Sequence, residues 1–308
     1  MRIATTARPA LPAARLERVE SPWRRLAEEF AASRLALLGL ALLVLLAAVA
    51  ITAPWIAPQN PYDLAQLDVL DSQLPPGSHS LSGKAYWLGT DDQGRDMLSA
   101  ILFGLRISLT VGVASTVAAL ALGLALGLAA AYFGGWLDAL IMRIADIQLS
   151  FPAILIALIL LAALGQGVGK IIVALVTVQW AYYARTVRSA AIVERQKEYI
   201  EAAKVLALPE WRIVLGHLLP NCLPPLIVVA TVQVAHAITL EATLSFLGLG
   251  LPITEPSLGL LIANGFQYLL SGKYWISFYP GLALLVTIMS INLVADQLRD
   301  ILNPRLKR

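Results

Sequence analysis

Few residues in this chain have the types and spacing that enzyme chemistry requires. A phosphate-binding loop needs two glycines separated by four residues, followed by lysine and then serine or threonine. The nearest string runs from Gly77 to Ala85, but five residues separate its glycines and it ends in alanine. The HExxH zinc motif and the G-x-S-x-G nucleophile turn are both missing from the sequence. The sequence therefore predicts no catalytic site and no nucleotide-binding site on this chain.

Metal ligands are equally sparse. The single cysteine, Cys222, excludes a disulfide scaffold and a cysteine-based zinc site. The three histidines, at positions 79, 217 and 236, lie far apart in the sequence and indicate no histidine metal cluster. We therefore expect this chain to bind no metal ion and no cofactor of its own.

Three polar residues interrupt a long apolar stretch: Gln233, His236 and Glu241. Ionisable residues inside membrane segments usually face protein or water and often mark a transport pathway. Glu241 either lines such a pathway or pairs with a neighbouring helix or subunit. His236, five residues earlier, does not share its helix face well, so we interpret it as a packing residue.

The composition indicates where these residues must lie. Hydrophobic residues make up 58% of the 308 residues, charged residues 14%, and the mean hydropathy is +0.73. A soluble domain is about 45–50% apolar and about 25% charged, so this chain is predicted to be a membrane protein. A disordered chain is also excluded, because disorder requires low hydrophobicity and high net charge.

Six segments are long and apolar enough to be membrane helices, which need about 20 residues. They cover residues 35–57, 107–137, 147–169, 168–190, 213–240 and 274–295. The fourth is the weakest, because only 14 uncharged residues separate Lys170 from Arg185, although both side chains can extend to the membrane surface. We therefore predict an all-α membrane protein with six transmembrane helices.

Lysine and arginine counts predict the orientation. With the N-terminus inside, inner segments hold eighteen of these residues and outer segments four, which favours two cytoplasmic termini. The first span is not a cleavable signal peptide, because 34 residues precede it. The predicted organisation is a cytoplasmic tail with an interfacial helix (1–34), a first span (35–57), an outer loop (58–100), a core (101–300) and a cytoplasmic C-terminus (301–308).

Two shorter segments are predicted to be helical without crossing the membrane. Ser21 and Pro22 are typical of a helix start, and the following residues form an amphipathic helix at the cytoplasmic interface, or else a solvated extension of the first span. Residues 250–273, semi-apolar and broken by two prolines, favour an outer re-entrant or interfacial helix. In the second span, Gly123 and Gly127 form a small-xxx-small pattern that permits close helix packing.

The inner segment 195–221 is predicted to form two short helices joined at a bend. Leu208 precedes Pro209, which breaks the first helix, and the second is expected to end near Pro220. In the first helix, Tyr199, Ala202, Ala203 and Leu206 are expected to share an apolar face. Such a rigid hairpin suits docking into a groove on a soluble partner. The alternative is a plain amphipathic connector lying on the bilayer.

This segment resembles the EAA motif of bacterial ABC importer permeases, which couples the permease to its ATPase. The matching and neighbouring residues are Glu201, Ala202, Ala203, Ala207, Leu208, Pro209, Leu219 and Pro220. Ala207 stands where the motif usually has glycine, and His217 where it usually has isoleucine. An alanine costs roughly 1 kcal/mol or more if a positive φ is required there, so the bend between the helices is the feature in question.

Three further stretches resemble one branch of that family, the C-type permeases of dipeptide, oligopeptide and nickel importers. Residues 241–250 resemble its EAxLSFLGLG motif, and residues 296–304 its DGLRDxLDP motif. The outer loop resembles its GTDxxGRD signature at Gly89, Thr90, Asp91, Gly94, Arg95 and Asp96. For that loop, one interpretation is structural, with Thr90 or Asp91 capping the second span and Gly94 forming a turn. The other is contact with a binding protein or gate.

The resemblance implies a type I ABC importer permease in the bacterial inner membrane. It implies a homologous second permease, two cytoplasmic ATP-binding subunits that carry ATP and Mg, an external substrate-binding protein and a peptide substrate, with no nucleic acid partner. Nickel chelates, glutathione and opine-like solutes are alternative cargoes within the family. Outside it, a self-sufficient secondary transporter would need inverted repeats with broken helices, and the sequence shows no obvious repeat.

Overall fold

The computed structural model describes residues 22–63, 66–80, 83–255 and 257–302. Within these residues the chain is a helical bundle with one small antiparallel hairpin in the outer loop, which confirms the predicted all-α membrane fold. The helices are α1 Pro22–Ala31, α2 Arg34–Ile56, α3 Met97–Phe133, α4 Gly135–Leu149, α5 Ala153–Leu164, α6 Val168–Arg195, α7 Glu198–Val205, α8 Glu210–Ile213, α9 Leu219–Phe246, α10 Leu258–Phe266 and α11 Trp275–Leu302; the strands are β1 Ser78–His79 and β2 Ala85–Tyr86.

Four continuous helical segments of the described chain are long and apolar enough to cross a membrane. They are α2, α3, residues Glu210–Phe246 and α11. In the third of these, a π-helical turn at Val214–Leu218 joins α8 to α9 without a break. Helix α6 has 28 residues, but polar residues such as Lys170, Gln179 and Arg185 make it less apolar. Its role as the fourth span stays a prediction.

The third predicted span, residues 147–169, is not one continuous helix. Helices α4 and α5 meet there at 92°. Pro152 lacks an amide hydrogen and disfavours a helical conformation at the residue before it, so the helix breaks at this point. Helix α5, with 12 residues, is about 18 Å long and is shorter than the roughly 30 Å hydrocarbon core. Helix α4 lies against α6, where Asp138 pairs with Arg188 at 2.5 Å.

The second span begins ten residues earlier than expected. Asp96 caps α3, with its Oδ2 accepting hydrogen bonds from the backbone amide and the hydroxyl of Ser99 at 2.8 and 2.6 Å. The expectation that Thr90 or Asp91 supplies this cap is therefore wrong. The 37 residues of α3 extend about 55 Å, so the helix projects beyond the hydrocarbon region.

Helix α3 is the centre of the bundle because small residues let other helices approach it. A Cβ added at Gly123 would lie 2.5 Å from the Cβ of Tyr183, and one at Gly127 would lie 2.6 Å from the carbonyl of Ala184. The predicted small-residue pattern thus packs α3 against α6 of the same chain. Gly112 likewise lets α9 approach α3 closely, since a Cβ added at Gly112 would lie 2.5 Å from the side chain of Ile238.

The predicted outer helix in residues 250–273 is present as α10, which Ser257 caps. It packs among α3, α9 and α11, and most of its residues are buried. On the inner side, α1 is also present and ends before Ser33, the N-cap of α2. The predicted cap Ser21, the tail before it and residues 303–308 lie outside the described residues, and the interfacial position of α1 stays a prediction.

Candidate functional site

The inner hairpin, residues 195–221, consists of α7, a tight turn, α8 and the π-helical turn. The predicted break before Pro209 is present, since α7 ends at Val205 and α8 starts at Glu210. The expected end of the second helix near Pro220 is wrong, because the helix continues into α9. Pro220 has no amide hydrogen, and the wider π-helical turn directly before it changes the hydrogen-bond pattern at this point.

The turn between α7 and α8 has a left-handed residue at the position where the motif usually has glycine. Ala207 has φ = +53°. Its amide donates to the carbonyl of Lys204 at 2.9 Å, and the amide of Leu208 donates to the carbonyl of Ala203 at 3.2 Å. These two bonds form a Schellman cap. The alanine therefore preserves the bend, at the cost of local backbone strain.

Replacing Ala207 by glycine is expected to stabilise the protein by about 0.5–1 kcal/mol, because glycine adopts positive φ without strain. The measurement is the thermal unfolding midpoint of the purified complex. Ala202 lies in the helical part of α7 and is the matched control, since glycine there is expected to destabilise by about 0.5–1 kcal/mol. Equal shifts for both variants would show that the left-handed conformation of Ala207 is not strained.

The two sides of the inner hairpin differ in burial. Ile200, Ala203 and Ile213 form a small core with Tyr132 and Leu208. Away from this core, the three most exposed large apolar residues of the inner hairpin are Val205, Leu206 and Trp211, at 86%, 73% and 62% exposure, and the motif residues Glu201 and Ala202 are also exposed. We call these five exposed residues the docking face.

The predicted apolar face of α7 is therefore divided. Ala203 is buried, while Ala202 and Leu206 point away from the chain. Val205 and Trp211 were not predicted as site residues. The one signal for them in the sequence is that large apolar residues flank the bend of an otherwise polar inner segment.

Polar contacts hold the inner hairpin to the spans. The Tyr199 hydroxyl donates to Glu194 Oε2 at 2.6 Å, and Asn221 Nδ2 donates to the Tyr199 oxygen at 3.1 Å. Burial and the adjacent Glu194 carboxylate raise the pKa of Tyr199 to about 12, so the phenol stays neutral and keeps donating. Arg195 Nη1 donates to the carbonyl of Ala131 at 2.9 Å. These contacts connect the inner hairpin to α3, α6 and α9.

The outer-loop motif is centred on a buried ion pair. Arg95 Nε lies 2.5 Å from Asp91 Oδ2, and both side chains are essentially unexposed. Asp91 Oδ1 accepts the backbone amides of Gln93 and Arg95, both at 2.9 Å. Arg95 Nη1 reaches across to the carbonyl of Ile253 at 3.0 Å. The pair therefore fixes the loop and connects it to the segment before α10.

The remaining motif residues complete the same structure. Gly89 and Gly94 have positive φ and form turns, and an added Cβ at Gly89 would lie 2.5 Å from the carbonyl of Leu74. The Thr90 hydroxyl donates to the carbonyl of Asp71 at 2.5 Å, and Trp275 Nε1 donates to the Thr90 carbonyl at 3.1 Å. Burial of the charged and hydroxyl side chains favours the structural interpretation of this motif over direct contact with a partner.

Glu241 is fully buried and is hydrogen-bonded within this chain. Ser108 Oγ of α3 donates to its Oε2 at 3.0 Å, and Ser245 Oγ donates to its Oε1 at 2.8 Å. Ser257, the cap of α10, also lies close enough to the carboxylate to interact with it. This geometry favours the pairing alternative over a pathway lining, and it links α3, α9 and α10.

The other two polar candidates do not join Glu241 in one site. His236 is exposed, whereas Gln233 is buried and its Nε2 has no hydrogen-bond partner among the described residues. Their roles stay predictions. Within the described part of the chain, no three His, Cys, Asp or Glu side chains are grouped as a metal site would require.

Comparison with known families matches two regions of the chain. The family described as "Binding-protein-dependent transport system inner membrane component" matches residues 123–308. The family described as "N-terminal TM domain of oligopeptide transport permease C" matches residues 21–76. Together they cover the first span and most of the core, including the inner hairpin.

Similar curated proteins have peptide-related names. A putative peptide transport system permease protein of Brucella suis biovar 1 is 39% identical over 270 residues, or 88% of each chain. The dipeptide transport system permease protein DppC of Alkalihalophilus pseudofirmus is 37% identical, covering 93% of this chain and 91% of its own. The probable D,D-dipeptide transport system permease protein DdpC of Escherichia coli is 37% identical, and the match covers 86% of this chain and 85% of its own.

Among solved structures, an inward-facing MetNI methionine ABC transporter matches with a TM-score of 0.54. The match covers 67% of this chain and 97% of the other, at 22% sequence identity. At this identity the likeness supports the fold alone, and it agrees with the type I importer fold that the motifs imply.

Proposed function

This chain belongs to the family of binding-protein-dependent transport system inner membrane components, and from that membership we propose that its inner hairpin transmits motion from cytoplasmic ATP-binding subunits to the membrane helices. The chain is a permease subunit of an ABC importer of the dipeptide and oligopeptide class. The single observation that carries the coupling proposal is the docking face, an exposed apolar surface on a hairpin whose other side is packed into the bundle.

The geometry explains how such a surface transmits force. Helix α8 continues through the π-helical turn into α9, so a displacement of the docking face is passed directly to a spanning helix. At the outer end of α9, Glu241 connects that helix to α3 and α10. Only a difference in contacts between nucleotide states shifts a conformational equilibrium. We therefore assign to the ATP-binding partners a grip on the docking face that changes with bound nucleotide.

The remaining partners are part of the same proposal. This chain pairs with a homologous second permease, and the two together contact two ATP-binding subunits and receive a peptide from an external binding protein. ATP and Mg bind only to the ATP-binding subunits, and this chain catalyses no reaction. The membrane is the bacterial inner membrane, with both termini cytoplasmic. Nickel chelates, glutathione and opine-like solutes are the alternative cargoes within the family.

Cysteine protection tests the docking face directly. The native Cys222 is buried, so a Leu206→Cys variant places a single accessible thiol on the docking face. In the pair of permeases alone, we expect a water-soluble maleimide to label this introduced cysteine rapidly. With the ATP-binding subunits assembled, labelling is expected to fall at least tenfold, because a residue in an interface core is shielded from water.

Val193 is an exposed apolar residue at the inner end of α6, outside the inner hairpin, and a Val193→Cys variant is the matched control. Its labelling rate is expected to change little on assembly. Equal labelling of the Leu206→Cys variant with and without the ATP-binding subunits would contradict the proposed docking.

A further inference from the structure

Two cavities on the outer side of the molecule share one tyrosine. The first, about 350 Å³, is lined by residues of the loop after α2 and by one face of α3: Gln59, Asn60, Tyr62, Gln66, Phe103 and Arg106. The second, about 480 Å³, is lined by Tyr62, Ile107, Val168, Thr254 and Glu255. Both volumes fall in the range of about 300–1,000 Å³ that is typical of small-molecule sites.

The two cavities carry charges of opposite sign. The first contains Arg106, whose exposed guanidinium forms no ion pair within the described residues. The second contains Glu255, whose Oε2 is buried and accepts no hydrogen bond from the part of the chain that is described. Glu255 as a whole is half-buried, and a polar oxygen that is buried without a partner is costly. A ligand that carries one cationic and one anionic group can pair with both side chains.

Tyr62 is the residue that lines both cavities. Its ring packs edge-on against Phe103, with the centroids 5.1 Å apart. Burial, and after it the charge of Glu255, raise the pKa of Tyr62 to about 12, against the opposing effects of Arg106 and Arg95. The phenol is therefore neutral at physiological pH and has a hydroxyl available to donate or accept.

We propose that the two cavities form one site for a short peptide with free termini, in which Glu255 binds the ammonium group, Arg106 binds the carboxylate and Tyr62 contacts the peptide between them. This inference rests on the proposed function and gives the outer side of the permease a role in recognising the substrate class. A singly charged anion pairs with Arg106 but leaves Glu255 unpaired. A zwitterion pairs with both, and hydrogen bonds between charged groups are the strong ones.

The test measures peptide binding to the complex of both permeases and the ATP-binding subunits, without the external binding protein, in phosphatidylcholine nanodiscs. The probe is dialanine, detected by saturation-transfer NMR. We expect Glu255→Gln and Arg106→Gln each to weaken dialanine binding about tenfold, as loss of a charged hydrogen bond does. Glu255→Asp and Arg106→Lys are expected to retain most of the binding. Lys84→Gln, which removes an exposed outer charge, is the control and should bind as the unmodified chain does.

Blocked peptides assign the two charges. N-acetyl-dialanine should bind weakly and be insensitive to Glu255→Gln, and dialanine amide should be insensitive to Arg106→Gln. Equal dialanine affinity in both charge-removing variants and in Lys84→Gln would overturn the proposal. So would loss of dialanine binding in phosphatidylethanolamine nanodiscs, since the ethanolamine headgroup, whose primary ammonium donates hydrogen bonds as a peptide's does and choline's does not, would then be the occupant. ATP-dependent uptake, measured on the same preparations, tests the proposed function separately.

Discussion

Replacing Arg95 by methionine is expected to destabilise the protein by about 3–5 kcal/mol, because it leaves the carboxylate of Asp91 buried without its charged partner. The same substitution removes the hydrogen bond to the carbonyl of Ile253, which connects the outer loop to the segment before α10. We expect a large fall in the thermal unfolding midpoint of the purified complex and a loss of protein that folds at 37 °C.

An exposed cation of the same loop provides the control. Lys84 carries no buried ion pair in the described structure, and Lys84→Met is expected to change stability by less than about 0.5 kcal/mol. The double variant Asp91→Asn with Arg95→Met should recover part of the loss, since no buried charge then lacks a partner. If Arg95→Met melts at the same temperature as Lys84→Met, the outer-loop motif does not have the structural role assigned to it.

Introducing a charge on the docking face is expected to abolish coupling without unfolding the chain. Val205 is 86% exposed in the isolated subunit, so arginine fits there in the absence of a partner. Once the interface forms, an unpaired charge in it costs about 3 kcal/mol. This cost corresponds to a roughly hundredfold weaker association with the ATP-binding subunits. We expect Val205→Arg to reduce ATP-driven uptake on that order, while insertion into the membrane stays normal.

Val193→Arg gives the matched comparison, because it makes the same change at an exposed valine outside the docking face. Uptake by that variant should remain within about twofold of the unmodified complex, as is usual for surface substitutions. Uptake is measured in proteoliposomes, with ATP hydrolysis recorded on the same samples. Equal uptake by the two arginine variants would remove Val205 from the interface.

The features that the sequence predicted well depend on local rules. Helix α2 and α11 are long apolar runs, and a run of that length has few alternatives to a membrane helix. The bend before Pro209 follows from the conformational restriction that proline places on its neighbour. Gly123 and Gly127 are read as a packing surface because only small residues permit such close helix contact.

The features that it predicted poorly depend on contacts between distant segments. The 92° bend between α4 and α5 is accompanied by contacts with α6, including the pair of Asp138 with Arg188. A hydropathy profile of the sequence carries no information about that contact. Asp96 rather than Thr90 caps α3 because Thr90 is bonded to the backbone of residues 71 and 74. Pro220 does not end a helix because the π-helical turn lies directly before it.

In the inner hairpin, too, the local features were predicted well and the packing was predicted poorly. The motif placed Glu201, Ala202 and Ala203 in the correct helix, but it did not distinguish the buried Ala203 from the exposed Ala202. Which face of a short helix is buried depends on what packs against it, here Tyr132 from the end of α3. The left-handed conformation of Ala207 also had no sequence signal apart from the glycine that is usual at this position.

Solute uptake by vesicles of defined composition tests the central claim most directly. The two permeases are reconstituted with and without the ATP-binding subunits, and the external binding protein is supplied in every sample. Entry of a labelled dipeptide is then followed either with ATP inside the vesicles or with an imposed ion gradient. The account predicts uptake only when the ATP-binding subunits and ATP are both present. Sustained accumulation driven by an ion gradient in vesicles that contain this chain, but no nucleotide-hydrolysing subunit, would contradict it.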